Sequence, residues 1–168
     1  EAAPELEVHY DGMGTRVTQV WLDNPDLLRE PKKMRKAWHW CRRVRSKSDR
    51  KKALDADVIV TTSGMLDGGP VIWYINRLRH DPANAILLTG YQAEGSGGRM
   101  LLEHRRLSIW GKNTPVELEV SQFSLSNHAG HTELVKFARE CSPKHVVLFH
   151  ADTEPAMALA DELGSEME

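Results

Sequence analysis

Apolar positions along this chain switch repeatedly between a strand rhythm and a helix rhythm. Leu6 to Tyr10 alternates and predicts a short strand, broken at Asp11-Gly12. From Gly14 to Leu22 the spacing of Val17, Val20 and Trp21 predicts a helix that Asn24-Pro25 ends. Residues 31 to 47 predict a second helix, with Pro31 in its first turn and Met34, Trp38, Cys41 and Val44 as its apolar stripe. Val58 to Thr62 is a short β-branched run, which predicts a buried strand. A turn-rich loop from Ser63 to Pro70 follows, and Pro70 opens a helix through Leu78. The pattern then recurs: a buried strand at Ala85 to Thr89, a glycine-rich loop at Gly90 to Gly98, and a helix at Arg99 to His104. A strand at Val116 to Val120, a helix over 129–140, a strand at Val146 to Phe149 and a helix from Glu154 to Leu163 complete the reading. No fixed-period repeat and no low-complexity tract interrupts it.

Strands alternating with helices of these lengths predict an α/β fold, a mostly parallel sheet flanked by helices. In such sheets ligands sit at the carboxyl ends of strands, where loops leave for the next helix. Three loops take that position: after Thr62, after Thr89, and at His150.

The 168 residues suffice for one domain or for pieces of two. With 40% hydrophobic and 27% charged residues the chain has the composition of a globular protein, and no apolar run reaches the length of a membrane span. It opens on Glu-Ala-Ala-Pro without a leader pattern and reads as a part of something longer. Cys41 and Cys141 form neither a secreted cysteine framework nor a CxxC knuckle, so the expected compartment is the cytoplasm. The net charge of −2 conceals an asymmetry. Of the 22 Lys and Arg residues, 11 lie between Lys32 and Lys52, Arg42, Arg43 and Arg45 among them, with only Asp49 opposing. Such a segment attracts polyanions, or it is a solvated helix face.

Candidate chemistry gathers at the loops. Thr61-Thr62-Ser63-Gly64-Met65 offers hydroxyls and backbone amides that could hold phosphate oxygens, or it is a connecting turn; spacing does not choose. Gly90-Tyr91-Gln92-Ala93-Glu94-Gly95-Ser96-Gly97-Gly98-Arg99 supplies flexible backbone, an aromatic ring and an arginine, but no Gly-Lys-Ser/Thr, so it is not a P-loop. His9, His39, His80, His104 and His145 stand singly and read as surface or satisfied residues. His128 and His131 lie at the entrance to a helix, and His150 ends the strand Val146 to Phe149, where a neutral imidazole could bind metal. No HxHxDH or HExxH element is present.

Five segments in order carry a resemblance: Tyr10-Asp11-Gly12-Met13, Thr61-Thr62-Ser63-Gly64-Met65-Leu66, Gly90-Tyr91-Gln92-Ala93-Glu94-Gly95, Ser126-Asn127-His128, and Val147-Leu148-Phe149-His150-Ala151-Asp152. Together they make the chain similar to metallo-β-lactamase/β-CASP nucleases, especially archaeal relatives of the cleavage and polyadenylation specificity factor nuclease and RNase J. The resemblance implies a partial β-CASP domain over 1–120 and the returning C-terminal segment of a metallo-β-lactamase domain, the RNA specificity segment, over 121–168. It implies that His128, in the motif usually written Ser-Ala/Gly-His, contacts the scissile phosphate and protonates the leaving group. It implies that His150 is a zinc ligand in a full-length chain holding two zinc ions, whose main cage lies upstream. Asn127 stands where the family has Ala or Gly, and Ala151 where it has Gly, which leaves room for a weakened relative.

The function so implied is part of a zinc-dependent ribonuclease, the piece alone being inactive. Metal-activated hydroxide would attack the phosphodiester in line. Ser63, Gly64, Met65, Gly90, Tyr91, Gly95, Arg99 and Ser126, with Arg42, Arg43 and Arg45, would hold a single-stranded RNA backbone. The partner is RNA, not a membrane, and the oligomeric state stays open, a homodimer among the candidates. The rival from another class is a catalytically inactive RNA-binding or scaffolding relative. A free-standing α/β ligand-binding domain is a third reading, disfavoured by the incomplete metal set.

Overall fold

The strand β1 (Val8–Asp11) is buried on both faces because it lies at the centre of a three-stranded parallel sheet. Its neighbours are β2 (Arg42–Arg43) and β3 (Val58–Thr61), with His9 opposite Arg42 and Val8 opposite Val58. The computed structural model describes residues 5–125 and 128–164, and the chain divides into two units, Glu1–Leu125 and Ser126–Glu168.

In the first unit β1 turns at Gly12 into α1 (Gly14–Asp23), which buries Thr18 and Leu22. Gly12 sits at φ +100°, and an added Cβ would overlap Thr62 Oγ1, so only glycine fits this turn. The helix expected over 31–47 is not continuous. It stops at α2 (Pro31–Trp40), and the chain then extends as β2. The cause is the edge of β1: Arg42 and Arg43 pair with it, Val44 N–H donates to Tyr10 O at 3.0 Å, and Trp38 packs edge-on against Tyr10. A separate helix, α3 (Lys47–Lys52), restarts behind Ser46, whose hydroxyl accepts from Asp49 N–H.

The strands expected to be fully buried are covered on one face only. β3 is an edge strand with Val60 exposed, and in β4 (Ala85–Leu88) Leu87 is exposed while Leu88 is buried. α4 (Pro70–Leu78) begins at Pro70 as expected, with Val71, Ile72, Tyr74 and Ile75 inward. α5 (Gly97–His104) starts before the expected Arg99, because the Ser96 side chain accepts from Arg99 N–H and caps it.

A hairpin unforeseen in the sequence follows, β5 (Arg106–Ile109) and β6 (Lys112–Pro115), paired antiparallel. Its two-residue turn, Trp110-Gly111, has both φ angles positive, at 48° and 76°, which is what a I′ turn requires. The strand expected at Val116 to Val120 is displaced to β7 (Glu119–Gln122), parallel to β4. Val116 and Leu118 instead serve the core, which joins them to Leu66, Ile72, Leu101 and Leu107. Leu101 and Leu107 have no exposed surface, and each contributes about 2–3 kcal/mol by burial.

The second unit holds α6 (His131–Cys141) and α7 (Thr153–Gly164). Glu133 accepts from Gly130 N–H at 2.8 Å at the start of α6, and His131 Nε2 lies 2.6 Å from Glu162 Oε2 on α7. Val135 and Leu163 are buried. Val146 to Phe149 is not a strand: the run has no strand partner among the described residues, and Val147 and Phe149 are about 90% exposed. An apolar run becomes a buried strand only where a sheet edge accepts it, and these described residues offer it none. No described helix is long and apolar enough to cross a membrane.

Candidate nucleic-acid interface

Two loops leave the carboxyl ends of β3 and β4, and hydrogen bonds lock them together. Gln92, buried in the second loop, donates through Nε2 to Gly64 O at 3.1 Å and to Gly90 O at 3.3 Å. Gly98 N–H donates to Met65 O at 2.8 Å, and Gly97 N–H to Asp67 Oδ1 at 2.7 Å. Gly98 is required at this junction because any Cβ there would overlap the Gln92 side chain. Gln122, at the end of β7, adds a bond from Nε2 to Gly90 O at 3.0 Å. The outcome is a single glycine-rich ledge built from residues 63–69 and 90–98.

The sequence-predicted residues distribute unevenly over it. Ser63, Gly64 and Met65 belong to the first loop and Gly90, Tyr91 and Gly95 to the second, with Met65 and Tyr91 exposed. Added Cβ atoms at Gly64, Gly90 and Gly95 would meet open space, so the backbone there is accessible to a ligand. Arg99 is turned to Glu103, with Nε 2.6 Å from Oε1 one helical turn on. Ser126 lies outside the described residues. His128 is exposed in the second unit. His150 is exposed too, in the left-handed region at φ 60°, and it does not end a buried strand.

The basic run does not form one face. Arg42 Nη1 lies 3.1 Å from Glu7 Oε1, and Arg43 sits over the Trp38 ring at 5.3 Å. Arg45 N–H donates to Asp49, whose carboxyl is held below its usual range by the Ser46 hydroxyl first and that amide second. Arg50 is turned inward from this set and only part of it stays exposed. Its guanidinium grips buried Asp11 through Nε at 2.6 Å and Nη2 at 3.0 Å, and the Tyr74 hydroxyl donates to the same carboxylate at 2.9 Å. Burial first and the Asp11 hydrogen bond second push the Tyr74 phenol well above its ordinary range.

Sequence reading missed Gln92, Asp67 and Trp110. The exposed Trp110 overhangs a cavity of about 450 Å³ whose walls include Asp67, Gly69, Gly95 and Gly97. A partial signal was present: Trp110-Gly111 follows the alternating run Arg106 to Ile109, as a hairpin turn does. No group of three His, Cys, Asp or Glu side chains among the described residues is arranged to hold a metal ion. With His150 on an irregular, exposed segment, these residues do not by themselves fit a zinc centre.

The Beta-Casp domain family matches residues 1–101, and the family described as the Zn-dependent metallo-hydrolase RNA specificity domain matches residues 113–168. The chain belongs to the β-CASP family. Among its curated relatives is a protein named Probable RNase MJ4 from Methanocaldococcus jannaschii, 34% identical over 92% of this chain and 37% of the relative. RNase aCSPSF2 of Saccharolobus solfataricus is 33% identical over 95% of this chain and 32% of its own length. Transcription termination factor FttA of M. jannaschii is 31% identical over 92% and 27%. This β-CASP chain thus spans about a third of the length of the relatives it matches. The family that matches residues 113–168 is zinc-dependent by description.

Proposed function

We propose that this β-CASP chain is part of a zinc-dependent, cytoplasmic ribonuclease that hydrolyses RNA phosphodiester bonds in processing or decay. The observation that carries the reading is the ledge at the strand ends, where open glycine backbone from two loops is fixed by Gln92. A backbone held in this way can donate to phosphate oxygens without reading sequence. The relatives named as RNases support the same chemistry.

In this reading residues 1–120 are the β-CASP portion and 121–168 the returning RNA specificity segment. Ser63, Gly64, Met65, Gly90, Tyr91 and Gly95 line the path of a single strand, Arg99 and Ser126 support it, and Arg42, Arg43 and Arg45 draw the polyanion in. His128 delivers a proton to the departing oxygen. In the whole protein His150 would contribute one ligand to zinc, which would supply an activated water there.

Zinc per chain, measured beside single-turnover cleavage of a labelled RNA, tests this in the full-length protein. His150→Ala should lower both quantities. His128→Ala should leave zinc in place and slow cleavage by roughly 10²–10⁴-fold, the worth of a positioned acid. His131→Ala should be mild for chemistry, since His131 is engaged with Glu162 between α6 and α7. If His131→Ala abolishes cleavage while His128→Ala retains it, the acid is misassigned by one turn. If all three variants cleave like the parent, the histidine roles are misassigned; if the parent binds RNA without zinc-dependent cleavage, the protein is a scaffolding relative.

A further inference from the structure

Trp110 is an unusual residue for the place it occupies. A bulky side chain at φ 48° is strained, and the turn it occupies would accept Asn, Asp or Gly at no such cost. Its indole is nevertheless 70% exposed, so neither core packing nor turn chemistry accounts for it. What the hairpin does accomplish is to carry that ring to the ledge. There Trp110 and Gly111 face Asp67, Gly69, Gly95 and Gly97 around one cavity.

We propose that this cavity is a nucleobase subsite that takes an unpaired guanine of the RNA, with Trp110 as its stacking surface and Asp67 as its reader. The assignment rests on the ribonuclease reading above and names a contact within it. Unpaired bases of RNA bind by stacking on aromatic side chains and by hydrogen bonds along their Watson–Crick edge. The volume of about 450 Å³ lies within the range of small-ligand sites. A phosphate is the wrong occupant, because the Asp67 carboxylate in the wall would repel it. Asp67 Oδ1 accepts Gly97 N–H, which fixes the carboxylate, and an ionised carboxylate has acceptor capacity for more than one donor. Guanine alone of the four bases presents a ring N–H and an amino group side by side, the donor pair that a carboxylate accepts. Adenine and cytosine offer an amino group beside an acceptor nitrogen, and uracil one ring N–H between carbonyls.

The test uses the full-length protein as isolated, with strands whose linkages are phosphorothioates so that cleavage is suppressed. Its probes are short U-rich single strands bearing guanosine, inosine or adenosine at matched positions, and a duplex of the same sequence. The guanosine strand should bind about tenfold tighter than the adenosine strand. Inosine, which lacks the amino group, should fall between them. Trp110→Ala should weaken the guanosine strand about tenfold or more and leave the duplex unchanged, while Trp110→Phe keeps most of the affinity. Asp67→Asn should bring guanosine and adenosine strands level. Equal binding of the guanosine strand by Trp110→Ala and its parent, at unchanged thermal stability, overturns the assignment. So does a guanosine preference that survives Asp67→Asn, or a parent that binds all three strands alike. A parent that binds no single strand at all removes the RNA reading itself, which is a different failure.

Discussion

Asp11 is a carboxylate almost without water, and three donors from two side chains converge on it: Arg50 Nε, Arg50 Nη2 and the Tyr74 hydroxyl. It closes β1 just before the tight turn at Gly12, so the cluster pins the central strand to α3 and α4. Removing the carboxylate strands the guanidinium. Asp11→Ala should therefore destabilise the unit by about 3 kcal/mol, at the low end for a buried pair because Arg50 keeps some contact with solvent. Tyr74→Phe removes one donor to that carboxylate while Arg50 stays paired, and should cost about 2 kcal/mol. Urea unfolding of both variants checks the order. The raised Tyr74 phenol adds a pH dependence of known sign. The fold holds the protonated form, so its contribution is complete below the ordinary phenol value of about 10 and drains as pH rises beyond it. Unfolding followed from pH 8 to 11 should show stability falling more steeply in the parent than in Tyr74→Phe. An equal slope would mean that Tyr74 is not the group responsible.

Among the elements, those with strong local punctuation were legible in sequence. Pro70 fixed the start of α4 and Asn24-Pro25 the end of α1. The 31–47 helix was overextended because Cys41 and Val44 continue its apolar stripe, while the vacancy beside β1 that draws Arg42 and Arg43 into extension is a tertiary fact. The run at Val146 to Phe149 shows the converse: its composition is that of a strand, but strand formation belongs to the sheet and not to the segment. At the ledge, the glycine loops were visible as candidates, whereas the bonds from Gln92 and the approach of Trp110 join residues far apart in the chain. The basic run likewise needed coordinates to be sorted. Charge reversal at Arg42, Arg43 and Arg45 should weaken RNA binding and flatten its dependence on salt, because fewer counterions leave per bound site. Arg50 must be left out of that set, since its reversal would set two carboxylates together at Asp11. Unchanged affinity and slope in the triple variant would reduce these arginines to a solvated surface.

At the scale of the molecule, the two units differ in how self-sufficient they are. The first closes a core of ten buried apolar residues, while the second buries Val135 and Leu163 and leaves Val147 and Phe149 in water. If the returning segment completes a sheet in the whole protein, the amides of 146–150 should exchange slowly there and rapidly in the 168-residue piece. Hydrogen exchange with peptide-level mass analysis compares the two directly, and equally fast exchange in both would deny the segment its sheet. The order of strands in the first unit carries a consequence for synthesis. Of these three strands β1 is made first, yet both its neighbours are distant in sequence: His9 waits for Arg42 on one side, and Val8 waits for Val58 on the other. Neither can be replaced by a local hairpin, because all three strands run the same way. The nascent chain therefore carries Val8 and Asp11 without their β3 partners until residue 61 has cleared the exit tunnel. The ion pair of Asp11 with Arg50 cannot close before Arg50 has emerged either, so the central strand gains its second edge and its buried charge partner only late in the making of this sheet.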